Sequence, residues 1–557
     1  MFVLRTAALL FCGSLASGQT PAPALVSILS EELERNFGAL RQKGDPAPYY
    51  IAYEVTEREA AAVSAALGAV KSMRADRVRV VDITVRVGTP KMDNYHRVRG
   101  ERVRFTSAVE IPIEDSAPAI RRVLWLETDR VYRLAAERLI KIKANRDVSV
   151  AEEDDSDDFS KEEPVTSFAP LVRLNFSADQ AAARVRKLSL EFAKFPSLIG
   201  SRVTLSAQRE TKYFVNTEGT RIAHGRGSAN VSFTAQAKAA DGMDIGTSDS
   251  FDAEDAAGLP KDDVLLRSID RVGEMAASLP RAPVVEPYVG PAMLSGRASA
   301  VLFHEIFGHR VEGHRQKDES DGQTFTKMVG TKVLPDFLSV VFDPTRRAAA
   351  GVSLNGAYAF DDEGVAAQPV TVVDKGVLKT FLMSRSPVRG FNRSNGHGRR
   401  QPGLEVVSRQ SNLFVEASQT VTEAKLREML IAEVRRQNKP YGLYFEQVTG
   451  GYTTTQRQGV QAFKVIPLVV YRVYADGRKD ELVRGADMVG TPLASFAKIA
   501  AAGDRQQVFN GYCGAESGNV PVAAVAPAIL ISEMEIQKKP KPEDRPPFLP
   551  PPPGGVL

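Results

Sequence analysis

Residues 304–309 read His304-Glu305-Ile306-Phe307-Gly308-His309, in a chain of 557 residues that has only six histidines. Two neutral imidazoles and a nearby carboxylate are what a hydrolytic zinc centre needs. The imidazoles hold the metal, and the carboxylate takes a proton from the metal-bound water. Leu294, Ala298, Val301, Leu302 and Ile306 recur at helical spacing, so the motif is expected to begin on a helix over 294–307. His304 and His309 stand five apart, about 140° around an ideal helix, not the four-residue spacing that puts both on one face. Gly308 permits a bulge, a widened turn or an early end, and the helix is expected to be distorted or finishing there. The competing reading is a buried helix with two hydrogen-bonded histidines.

Outward from the motif, composition sets bounds. Hydrophobic residues make up 43% of the chain and charged residues 25%, ordinary for a globular protein. The length suits roughly two to four domains. A net charge of +4 with no concentrated basic stripe gives no argument for a nucleic-acid partner. Met1 to Gly18 carries one positive charge (Arg5), an apolar stretch from Thr6 to Leu15, and the small residues Ala16-Ser17-Gly18. That pattern is a secretory signal peptide, with Gln19 as the mature start and the periplasm as destination. No other segment is long and apolar enough to span a membrane.

The two cysteines are Cys12 and Cys513. With the signal removed, Cys513 stands alone and no internal disulfide forms. A lone thiol in an oxidising compartment is buried and inert, bonded to another chain, or tied up as a thiolate on a metal. Gly511-Tyr512-Cys513-Gly514 reads as a turn-like loop, which weakens the inert reading.

Along the chain, helical periods occur near 25–40, over 129–146, 179–195 and 262–279, and alternation near 49–55 and 81–87. Asn216 to Gly219 sits between apolar flanks and reads as a hairpin. The run 152–163 is acidic, lacks a calcium-loop pattern, and reads as a mobile loop. Prolines at 280, 283, 287 and 291 suggest a linker. Beyond the motif, the chain is mostly strand and turn, as at 337–342, 369–373 and 463–473. Thr420 with Glu423 forms a capping box for a helix through Arg436. The expected fold is α+β: after a signal peptide (1–18), an N-terminal α/β domain (19–282), then a mostly β domain carrying the metal-site helix (283–537), and a proline-rich tail (538–557).

Several segments in order make the chain resemble the TldD/PmbA family of peptidases. They are His304-Glu305 through His309 with Val311-Glu312-Gly313; Phe360-Asp361-Asp362-Glu363-Gly364; Asn395 to Arg400; Arg409 to Asn412; Gly450-Gly451; Arg484 to Gly490; and Cys513-Gly514 through Val520-Pro521-Val522. Asn216 to Gly219 is a weaker N-terminal match. The resemblance covers about 285–536 well and the first half loosely. It implies an N-terminal α/β part and a mostly β part bearing the metal site, and cleavage of unfolded peptides in an enclosed cavity. It also implies pairing as a homodimer, or as a heterodimer with a related subunit. Carried over residue by residue, it implies Zn2+ held by His304, His309 and Cys513, with Glu305 as the catalytic carboxylate. The segment after Gly451 lacks the Gln-Val-Asp of the enzymatic branch, and an export signal is unusual for the family.

His314, five residues beyond His309, is an alternative third ligand. His397, Arg399 and Arg400 are candidate oxyanion donors by residue type, and Asp361 to Glu363 would either orient a ligand or form a turn. The leading expectation is a zinc peptidase. The alternatives are a non-catalytic, PmbA-like binding partner and a structural zinc protein.

Overall fold

A computed structural model describes residues 21–98, 101, 103–146, 154–318, 320–457, 463–490, 495–540, 547 and 549. The expected signal peptide and most of the proline-rich tail lie outside the described residues. No described helix is long and apolar enough to cross a membrane. The mixed α+β expectation holds.

The first half is built on long antiparallel strands: β1 (Pro48–Ala66), β2 (Ala69–Thr89), β3 (Gly200–Asn216), β4 (Arg221–Lys238) and β5 (Asp244–Ala253), in the order β2-β1-β3-β4-β5. Side chains alternate across a strand, and Ile51, Tyr53, Val55, Val63 and Ala65, at odd positions of β1, enter the helix-covered core. Helices α1 (Ala24–Lys43) and α2 (Ala117–Arg146) cover one end of that face; α3 (Ala178–Leu190) and α4 (Asp262–Ser278) cover the other. The even positions face the second half of the chain, where buried Glu54 accepts from Arg400 Nε at 3.0 Å. The hairpin at Asn216 to Gly219 forms as expected: the Asn216 side-chain oxygen accepts from Glu218 N and Thr220 N at 3.1 and 2.9 Å.

In the second half, strand pairings close into a ring. The ring strands are β6 (Tyr288–Leu294), β10 (Gly442–Thr453), β11 (Phe463–Val473), β12 (Ala486–Gly490) and β14 (Gly518–Lys538). β6 pairs with β10, β10 with β11, β11 with β12, β12 with β14, and β14 returns to β6. Strands β7 (Leu338–Phe342), β8 (Val370–Asp374) and β9 (Asn412–Ala417) extend the sheet past β14, with which β13 (Ile499–Ala515) forms a hairpin. Helix α5 (Gly296–Ile306) packs on β14, β10, β13 and β11, and every residue from Ala298 to Ile306 is buried. A helix packed over most of its circumference needs apolar residues there, which Ala298, Ala300, Leu302, Phe303 and Ile306 supply.

Four local readings change. Helix α2 starts at Ala117, before the expected 129, because Trp125 and Leu126 face solvent and break the apolar period there. Pro291 lies inside β6, so the proline cluster is only partly a linker. Helix α6 (Glu423–Arg436) is capped by Thr422, whose hydroxyl accepts from Lys425 N, and not by Thr420. The described part of the acidic run, 154–163, is docked and not a free loop. Asp158 is buried, accepting from Asp93 N and contacting His96 Nδ1 at 2.8 Å, while Glu162 accepts from Arg393 and from Ser394 N. Cations on neighbouring segments attract this run; its own charges do not keep it in water.

Candidate metal centre

Helix α5 ends at Ile306, and Gly308–Arg310 form a single 3-10 turn. The early end expected near Gly308 is therefore present, but its cause is close packing. A Cβ at Gly308 would sit 1.9 Å from Gln410 Oε1, and Gly308 is absent from the positive-φ glycines. Gln410 Nε2 donates to the His304 carbonyl at 3.2 Å. Tightening the turn swings His309 back toward His304, and the two rings meet edge to face at 5.1 Å.

Cys513 reaches the pair from β13, opposite Val520 of β14; Gly511 to Gly514 are paired strand residues and not the turn-like loop expected from their glycines. Its Sγ lies 3.3 Å from His309 Nε2. One ligand atom each from His304, His309 and Cys513 falls within 4.8 Å of the others, and all three residues are buried. Burial disfavours the thiolate, but His309 and His304 outweigh it and hold the Cys513 thiol well below its ordinary range.

Behind the cluster lies a network that the sequence reading did not identify. His309 Nδ1 faces Glu312 Oε2 at 3.2 Å, and Arg315 Nε donates to the same oxygen at 2.9 Å. Arg409, with no exposed surface, places Nε 3.3 Å from the other Glu312 oxygen and donates from Nη2 to the Cys513 carbonyl at 2.7 Å. One guanidinium thus connects the strand bearing Cys513 to the carboxylate that faces His309. Burial opposes the Glu312 charge, but His309, Arg315 and Arg409 hold this carboxyl well below the usual carboxylate range. The signal for Glu312 was present in its position three residues after His309; Arg409 stood in a segment that carries the family resemblance, but nothing local tied it to Glu312 or Cys513.

Glu305 follows His304 on α5 and points at Gly451: a Cβ there would lie 2.7 Å from Glu305 Cγ. Burial raises its pKa, partly opposed by His304 and His309. His304, Glu305, His309 and Cys513 all line one cavity of about 720 Å³, walled by Gln447 to Gln456 and Phe509 to Glu516, with Ser248 and Ser250 of β5 at its rim.

Other sequence candidates lie elsewhere. His314 stands 3.7 Å from Glu516 and outside the ligand cluster. His397 is buried between Asn395 O and Ser411 Oγ, both at 3.0 Å. Arg399 donates to Gln410 O, and Arg400 to Glu54. None of these four lines the cavity. Asp361 accepts from Glu363 N, Val365 N and Gly398 N, and Asp362 pairs with Lys212, so this segment forms a turn and a contact to the first sheet and does not orient a ligand.

Residues 172–279 match the PmbA/TldA metallopeptidase central domain and 288–538 the PmbA/TldA metallopeptidase C-terminal domain. A metalloprotease TldD homolog of Haemophilus influenzae is 27% identical over 250 residues, 44% of this chain and 48% of the relative. A metalloprotease of Methanothermobacter thermautotrophicus is 24% identical over 363 residues, 64% of this chain and 74% of the relative. The chain spans about half the length of the TldD homologs it matches. The crystal structure of TldE from Thermococcus kodakarensis shares the fold, with a TM-score of 0.62 at 14% identity over 92% of this chain and 100% of that chain. The chain therefore belongs to the TldD/PmbA family.

Proposed function

We propose that this chain is an exported zinc peptidase that cuts unfolded or flexible peptides, with His304, His309 and Cys513 as metal ligands and Glu305 as general base. The observation that carries this reading is the convergence of two imidazoles and a thiol within 4.8 Å of one another beside a buried carboxylate, all on one cavity. Cys513 Sγ and His309 Nε2 stand 3.3 Å apart, and imidazole nitrogen with thiolate sulfur is a donor set that would hold zinc. Mixed imidazole and thiolate donors favour zinc over magnesium or calcium, and three protein ligands leave a fourth position for substrate.

When bound, zinc polarises the peptide carbonyl and activates water for attack. Glu305 would take the water proton and pass it to the leaving amine. Glu312 accepts from His309 Nδ1 and keeps Nε2 turned to the cluster. Arg409 keeps Glu312 charged and holds the Cys513 strand. Among the described residues, 447–453 pair with β11 on one edge only and line the cavity. A free strand edge takes up extended peptides through backbone hydrogen bonds.

The same proposal includes removal of 1–18 on export to the periplasm, a domain division at 282/283, and pairing with a second copy or a related subunit. The test is cleavage of a disordered, fluorescence-quenched peptide by the purified chain. Wild type should cut it; Glu305→Gln should retain metal and lose activity. An active Glu305→Gln protein would sink the assignment, and activity that appears only on adding a related subunit would favour the binding-partner role.

A further inference from the structure

We propose that Arg297 reads a carboxylate on the bound peptide, about three residues from the bond that is cut. The inference rests on the peptidase reading above and names the substrate feature that its cavity selects. Arg297 and His304 both belong to α5 and stand seven residues apart, close to two full turns, so they share a face about 10 Å apart along the axis. Val301 lies between them, and all three line the cavity. An extended peptide advances about 3.3 Å per residue, so a chain laid along this wall with its reacting carbonyl at His304 brings its third neighbouring residue to Arg297.

Arg297 has donors to spare. Among the described residues its one ion pair is Nη1 to Asp249 Oδ1, at 3.3 Å. Its side chain is 30% exposed. Its Nε is buried without a hydrogen-bond partner. Asp249 is shared: its other oxygen accepts from Arg271 at 2.8 Å and Ser268 at 2.6 Å. One carboxylate thus faces two guanidiniums, of which only Arg297 lines the cavity. The other arginine on the wall, Arg315, is occupied by Glu312, Asp321 and Glu516. Phe509 lies beneath the Arg297 guanidinium at 5.7 Å and limits where it swings. A planar guanidinium with a fixed fork suits a carboxylate in particular. That carboxylate comes from an aspartate or glutamate side chain, or from the free C-terminus of the peptide.

The cut site in a disordered peptide is first mapped by mass spectrometry with the wild-type protein. Peptides are then made with Glu or Gln at the third residue on each side of that bond, and others ending there as free acid or amide. Their affinities are measured by fluorescence anisotropy on Glu305→Gln protein, with and without Arg297→Gln, Arg297→Lys or Arg297→Glu. The expected result is about tenfold tighter binding of the carboxylate form in one of the arms, and that arm identifies the source. The preference should weaken with added salt, persist in part in Arg297→Lys, vanish in Arg297→Gln and turn toward a lysine-bearing peptide in Arg297→Glu. Equal affinities for carboxylate and amide forms on the parent protein, or a preference that survives Arg297→Gln, would overturn the inference while leaving the peptidase reading intact. Absence of any cleavage by wild type would overturn both.

Discussion

His309 Nδ1 lies 3.2 Å from Glu312 Oε2, while the opposite nitrogen of the same ring lies 3.3 Å from the Cys513 sulfur. A carboxylate facing one imidazole nitrogen fixes the tautomer and aims the other nitrogen, the usual arrangement behind a metal-binding histidine. Glu312→Gln should therefore lower zinc affinity by about 10- to 100-fold, read by titration against a chromophoric chelator. Glu312→Asp should recover part of it. Unchanged affinity in Glu312→Gln would show that the contact serves packing alone. Glu312→Ala also takes from Arg409 its buried counter-charge, while Arg315 keeps Asp321 and Glu516, and should cost about 3–5 kcal/mol of stability.

Gly308→Ala tests the turn that brings the histidines together. The added Cβ would lie 1.9 Å from Gln410 Oε1 and 2.3 Å from its Cδ. The expected cost is about 1–3 kcal/mol, together with loss of bound metal as Gln410 leaves the His304 carbonyl. Urea denaturation and elemental analysis check both effects. Pairing the change with Gln410→Ala should restore part of the stability, since the clash is with that side chain.

His397 gives the stability a pH dependence. Burial pushes its pKa from 6.5 down to about 3, and the neutral ring is already satisfied, donating from Nδ1 to Asn395 O and accepting from Ser411 Oγ at Nε2. Between those two values the unfolded chain binds the proton and the folded chain does not. Stability therefore falls as pH falls through this window. The contribution is about 2 kcal/mol between pH 7 and pH 5. Denaturation at the two pH values should show a smaller drop in His397→Gln than in wild type; equal drops would mean that the ring protonates freely in the fold.

Much of the site was legible because its signals are local. The period of Leu294 to Ile306 placed His304 and Glu305 on a helix, sparse histidine made the pair conspicuous, and a lone cysteine called for a partner. Gly308 pointed to the right place for the wrong reason: its neighbour Gln410, not its own backbone freedom, demands the missing side chain. Contacts across long separations left no trace. Arg409 meets Glu312 and Cys513 only in the folded chain, and the ring closes where Tyr288 to Leu294 meets Ile529 to Ile536. The acidic run misled because charge alone reads as solvation, whereas Arg393 and His96 were waiting to pair with it.

The most direct test of the central claim is the zinc content of purified wild type, His304→Ala/His309→Ala and Cys513→Ala, measured by elemental analysis after reconstitution under reducing conditions. About one zinc per wild-type chain is expected, with loss in the double histidine variant and a marked drop in Cys513→Ala. A wild-type chain that takes up no zinc, or a Cys513→Ala chain that holds as much as wild type with equal affinity, would contradict it.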